Sequence, residues 1–156
     1  MDLYLIRHAA VESPRIGLAD EARALTTDGR RKWKRAVRGL DAIGTKIDRV
    51  YHSPWRRAVQ TAEALRPLVR KELVATETLC RSPTASWLAS IEGKRVAIVG
   101  HHPWLLELVG LLVFGDAHRG ARITLGKSSV VHLEGEPRVG GMTLEAVLPG
   151  AVLRAL

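Results

Sequence analysis

Cysteine is almost absent. Cys80 is the only one in 156 residues, which excludes an internal disulfide and any metal cage built from cysteines alone. A lone cysteine fits a reducing compartment, so a cytoplasmic location is expected. Aromatic residues make up only 4% of the chain, so aliphatic side chains must fill the interior. Long hydrophobic runs are missing too. The most apolar stretch, Trp104 to Phe114, is interrupted by Glu107 and Gly110 and falls well short of the ~20 residues of a membrane span. It reads as a buried helix. The short apolar run near the N-terminus has no basic segment before it and meets Arg7 at once, unlike an export signal.

What is present fits a globular protein, with 46% hydrophobic and 26% charged residues. The length suits one domain, residues 1–156, which would bury roughly 70% of its unfolded surface. Lys and Arg total 24 against 16 Asp and Glu, a net charge of +8. Such a surface attracts phosphorylated molecules, acidic protein faces and nucleic acid at long range, without choosing among them.

Leu3 to Ile6 is a continuous apolar run, as expected of a strand covered on both faces. Ala9 to Leu25 reads as a loop. Thr26 is placed to cap a helix whose apolar positions Trp33, Ala36, Val37 and Leu40 follow helical spacing and which Gly44 ends. Ile47 to Tyr51 predicts a second strand. Ser53 as cap and Pro54 as first helical residue predict a helix to about Leu65, stopped by Pro67. A weak strand at Leu73 to Ala75 comes next, then a short helix from Ser82-Pro83 through Trp87 and Ile91, and a buried strand at Arg95 to Val99. Ser129 to Leu133 and Met142 to Leu148 read as two late strands. The alternation predicts a three-layer α/β/α sandwich with a central, mostly parallel sheet and no large cap domain.

In such sheets ligands gather at the carboxyl ends of the strands. Polar groups leave three of them: Arg7-His8, His52-Ser53 and Gly100-His101-His102. Arg57 lies in the first turn of the second helix, where a cation opposes the dipole and calls for a nearby anion. Its helical stripe, shared with Thr61, Ala64 and Leu68, points it inward, whereas Arg56 points outward.

These residues fall into blocks. Leu5-Ile6-Arg7-His8-Ala9, Leu25-Thr26-Thr27-Asp28-Gly29, Ser53-Pro54-Trp55-Arg56-Arg57-Ala58-Val59-Gln60-Thr61 and Val99-Gly100-His101-His102-Pro103 together resemble the histidine phosphatase superfamily, also called phosphoglycerate mutase-like, in order and spacing. The resemblance implies a metal-independent phosphatase without a cofactor. His8 would form a phosphohistidine intermediate, with Arg7, Arg57 and His101 around the phosphoryl oxygens and His101 as the protonated histidine. The arginines would lower the pKa of His8 and keep it nucleophilic. His102 reads as a packing or rim residue.

Many family members place a glutamate after the third strand. Here Thr78 occupies that place, leaving Glu77 and Glu12 as weak candidates for the acid. The mutase pattern fails at Ala9, Ala10 and Pro14. A phosphohistidine has an easy leaving group, so the short SixA-like phosphohistidine phosphatases, acting on a phosphorylated partner protein, are the preferred subgroup. A phosphatase of small phosphomonoesters is the alternative. Further rivals are a non-catalytic phosphate-binding protein, a zinc enzyme using His8, His101 and His102, and a nucleotide binder built on Ala121 to Ser128. No nucleic acid or membrane partner is expected.

Overall fold

The computed structural model describes residues 1–156. One six-stranded sheet runs through it, in the order β3-β2-β4-β1-β5-β6. The strands are β1 (Asp2–Arg7), β2 (Ile47–His52), β3 (Val69–Ala75), β4 (Arg95–Gly100), β5 (Val130–Gly135) and β6 (Met142–Leu148). β3, β2, β4 and β1 pair in parallel, whereas β5 pairs antiparallel with both β1 and β6. β5 alone therefore runs against the other strands, and the fold is α/β with a mostly parallel sheet.

Successive strand residues face opposite sides of the sheet. On one side Ile6, Ala97, Val99 and Val50 pack under α1 (Thr27–Ala42), α2 (Arg56–Glu63) and α5 (Gly150–Leu153). On the other, Leu3, Leu5, Val96 and Ile98 pack under α3 (Ala85–Leu88) and α4 (Trp104–Phe114). Both faces of β1 and β4 are thus covered, which is why those strands read as unbroken apolar runs.

α1 begins where expected: the Thr26 hydroxyl accepts from the Gly29 amide, and Gly44 follows the helix with φ +79°. Its buried stripe is Trp33, Ala36, Val37 and Leu40. Trp33 also donates its indole N–H to the Thr61 carbonyl at 2.8 Å, tying α1 to α2. α4 has the predicted bounds. Two starts differ. α2 opens at Arg56, because Trp55 is still extended and the Ser53 hydroxyl accepts from the Trp55 amide, making a turn ahead of the helix. α3 opens after Thr84 instead of Ser82, because the Thr84 hydroxyl takes the Trp87 amide, and it ends at Leu88. No helix is long and apolar enough to cross a membrane.

Candidate active site

Strand register builds the site. Arg7 lies opposite Gly100 in the parallel β1–β4 pair, so His8 and His101 leave neighbouring strands side by side, with ring centroids 5.2 Å apart. β2 flanks β4 on its other side, and the chain leaving β2 turns into α2, whose first turn carries Arg57. Because β5 is antiparallel, its entry reaches this same edge. The Ser128 amide lies 3.2 Å from the Arg7 carbonyl, Ser128 adopts φ +61°, and Lys127 beside it lines the cleft. A non-glycine residue held in the left-handed region stores strain, which sites often do where a neighbour must be aimed.

The long third block has a structural reason. Thr61 accepts from the Ala9 amide at 3.1 Å and donates to the Arg57 carbonyl at 2.7 Å. Gln60 accepts from the Leu25 amide at 2.8 Å. α2 thereby fixes the loop that follows His8. Gly29 belongs to the same contact, since a Cβ there would strike the Ala10 carbonyl.

Arg7, His8, Arg57, His101, His102, Arg23 and Lys127 line one cleft of about 380 Å³. His8 Nδ1 is 2.8 Å from the Ala9 carbonyl. A carbonyl only accepts, so Nδ1 carries the hydrogen, and in the neutral ring Nε2 keeps its lone pair. Burial is the largest influence on this ring. Opposed by the Ala9 hydrogen bond and aided by Arg57, Arg7 and Lys127, it pushes the pKa down to about 4. The expected effect of the arginines is present but secondary.

His101 departs from expectation. Burial, then the charges of His8 and Arg57, push it down to about 3, so it is neutral in the protein alone. Both of its ring nitrogens are buried without a protein partner, as are Nε of Arg7 and Nε of Arg57. Unpaired buried donors are costly, and an anion with several acceptor oxygens would suit the two guanidinium N–H groups and the one N–H of the neutral imidazole.

These shifts have a consequence for stability. Between the ordinary histidine value of 6.5 and about 4 for His8 or about 3 for His101, the unfolded chain binds more protons than the folded one. Stability is therefore full above about pH 6.5 and falls as pH drops through this window. Urea midpoints should decline between about pH 7.5 and about pH 5.5, above the range in which unperturbed carboxylates titrate; equal midpoints would contradict two buried neutral rings.

Arg57 meets an anion that sequence reading missed. Its Nη2 donates to the Asp20 carboxylate at 2.9 Å and its Nη1 to the Asp20 carbonyl at 2.7 Å. Arg23 holds the other carboxylate oxygen, 2.8 Å from its Nε. Partial burial acts to raise the Asp20 pKa, but the hydrogen bonds from Arg57 and Arg23 outweigh it and keep the value low. Asp20 is an internal competitor for the groups that would grip a phosphate. Asp20→Asn should therefore tighten inorganic phosphate binding by about two- to fivefold, the scale of a partly exposed ion pair. Calorimetry would measure it, and weaker binding would show instead that Asp20 positions Arg57.

Trp55 and Trp104 also line the cleft and were not anticipated. Trp55 packs against the His101 ring at 4.6 Å, with the Arg57 guanidinium 4.6 Å from its own ring centre.

The remaining candidates fall elsewhere. His102 lies at the rim, where Nε2 donates to the Leu125 carbonyl at 2.8 Å. His52 does not join the cleft, and its Nδ1 is 2.9 Å from the Ser53 carbonyl. The Glu12 carboxylate accepts from the Ala24 amide, and Glu77 lines, with Glu21 and Arg56, a neighbouring surface depression that shares Trp55 with the cleft. No group of three or more His, Cys, Asp or Glu is placed to hold a metal ion. The nucleotide-loop rival at Ala121 to Ser128 lacks its context: a 3-10 helix, Ala117–Arg122, precedes most of the segment and β5 follows it, so there is no strand-loop-helix unit.

Sequence comparison places residues 3–82, just over half of the chain, in the histidine phosphatase superfamily (branch 1), and the chain belongs to that family. A relative in Picosynechococcus sp. (strain ATCC 27264 / PCC 7002 / PR-6), an uncharacterized protein, is 29% identical over 143 residues, 85% of this chain and 84% of its own. Among solved structures, the protein histidine phosphatase SixA complexed with tungstate superposes with a TM-score of 0.80 at 20% identity, covering 98% of this chain and 99% of its own. A phosphoserine phosphatase from Entamoeba histolytica, in complex with 3-phosphoglyceric acid, reaches 0.73 at 18% identity over 97% and 98%. These likenesses establish the fold, a histidine phosphatase α/β domain architecture without a large cap.

Proposed function

We propose that residues 1–156 act as one phosphatase domain that carries the phosphoryl group on His8 and removes it from phosphohistidine on a partner protein. The observation that carries the substrate reading is the cleft's acid-base inventory. Its lining brings cations and neutral histidines together with one carboxylate, and that carboxylate, Asp20, is kept ionised by two arginines.

In the first step His8 Nε2 attacks phosphorus. A P–N bond forms as the bond to the leaving group breaks, and the departing imidazole takes the electron pair of that bond. The fixed charges of Arg7, Arg57 and Lys127 favour the oxygens of the crowded transition state. His101, whose ring lies 5.2 Å from that of His8, would meet the same oxygens, and a dianion beside it would counter the burial that holds it neutral. In the second step water attacks phosphorus, the P–N bond breaks, and inorganic phosphate leaves with His8 restored.

An alkoxide leaving group needs a proton from a placed acid, whereas a phosphohistidine whose other ring nitrogen already carries a proton from solvent leaves as neutral imidazole when the P–N bond breaks. Asp20, Glu12 and Glu77 supply no such acid, which favours phosphohistidine over sugar or serine phosphates. Similarity to SixA supports the same choice, and similarity to a phosphoserine phosphatase keeps small esters as the competing reading. Comparing kcat/KM for a phosphohistidine protein, a phosphohistidine peptide and phosphoserine tests it. The two phosphohistidine substrates should be turned over faster; faster turnover of phosphoserine than of either would move the assignment to small esters within the same family.

A further inference from the structure

The phosphate-facing groups account for one side of the cleft. The other side is aromatic, and nothing in the chemistry so far uses it. The geometry points to Trp55 and Trp104 as a stacking platform for the leaving group. It would select substrates whose phosphoryl group is attached to a flat ring, through nitrogen as in phosphohistidine or through oxygen as in an aryl ester, over those attached to an alkyl chain. The inference rests on the phosphatase reading of the cleft and names a determinant of its specificity.

Trp55 is held in place by two of the groups that face the phosphate. The His101 ring lies 4.6 Å from it at 44°, and the Arg57 guanidinium carbon is 4.6 Å from its ring centre. Trp104 opens α4 directly after the segment that carries His101. It meets Trp55 at 5.9 Å and 72° and His101 at 6.2 Å and 89°, both edge-to-face, so no ring is stacked flat on it. Both indoles are only half-buried although each lines the cleft. They stand at its wall instead of filling the core.

In-line displacement puts the attacking and departing atoms on opposite sides of phosphorus. His8 is 6% exposed, whereas Trp55 and Trp104 in the same cleft are only half-buried, so a leaving group opposite the attacking nitrogen departs toward the more open part of the cleft, where the tryptophans are accessible. A flat ring there gains stacking as well as apolar burial, and a rigid indole loses little freedom in providing it. A puckered ring or an alkyl chain gains only the burial.

Two non-hydrolysable probes of similar size separate these contributions: phenylphosphonate, which is flat, and cyclohexylphosphonate, which is not. Calorimetry on the full chain should give phenylphosphonate a dissociation constant about 3- to 10-fold lower. Trp104→Leu should erase most of that difference and Trp104→Phe should keep most of it. Equal binding of the two probes by the unaltered protein overturns the platform, even if the variants do not fold, and so does a full difference retained by Trp104→Leu. Binding needs no turnover, so the platform and the phosphatase reading fail separately: a protein that turns over phosphohistidine yet binds both probes equally loses only the platform.

Discussion

Replacing His8 by alanine is expected to lower kcat by about 10⁴-fold or more for every phosphoryl substrate, the scale seen when a covalent nucleophile is removed. The other groups of the cleft do not substitute for it. His101 is the neighbouring ring, but both its nitrogens are buried without a protein partner and no backbone carbonyl fixes its tautomer as Ala9 does for His8, while the His102 Nε2 is held by the Leu125 carbonyl. Binding of inorganic phosphate should survive in the variant, because Arg7, Arg57 and Lys127 remain. Loss of turnover with retained binding is the signature of a missing nucleophile. If turnover survives unchanged, His8 is not the phosphoryl carrier; if the unaltered protein binds phosphate and turns nothing over, the site is a binding site alone.

Arg57→Ala should follow with a fall in kcat of about 10² to 10³, comparable to removing one donor from a preorganised anion site. Arg57 is 4% exposed, its guanidinium packs on Trp55, and Thr61 holds its carbonyl, so its direction is set before substrate arrives. Arg57→Lys should recover part of the loss and not all, since an ammonium cannot span two phosphoryl oxygens as a guanidinium does. The effect belongs in kcat more than in KM, because crowded transition-state charge gains more from a fixed fork than dispersed ground-state charge. A fall of less than about tenfold in Arg57→Ala would remove this residue from the reaction.

The parts of the site legible in the sequence share one cause. Arg7-His8 and Gly100-His101 end apolar runs, and residues that end parallel strands must arrive at one edge of the sheet. Arg57 was legible because helical periodicity set it on the stripe of Thr61, and both are buried. Other groups had no comparable signal. Lys127 reaches the cleft because β5 runs antiparallel, and strand direction leaves no mark in the residues themselves. Asp20 opens a single 3-10 turn, Asp20–Ala22, too short to leave a periodicity, and only its pairing with Arg57 and Arg23 reveals it. Trp55 and Trp104 stood in view, one between proline and the arginines and the other at the head of α4. Their shared wall arises from packing across β2 and β4, which spacing along the chain does not express. The protonation of His101 was misread for a related reason. Residue type set the expectation of a cation, whereas burial, with His8 and the Arg57 guanidinium alongside, sets the actual state. The start of α2 moved for a local reason, since the Ser53 hydroxyl closes a turn on Trp55 and leaves Arg56 to begin the helix.

The central claim is that phosphate resides covalently on His8 during turnover. Rapid quenching of the protein with a phosphohistidine substrate, followed by proteolysis under alkaline conditions and mass spectrometry, tests it directly. The predicted result is an acid-labile phosphate on the peptide containing His8, absent from His8→Ala. Phosphate on His101 or another residue, or steady turnover with no covalent phosphate at any quench time, would contradict the account.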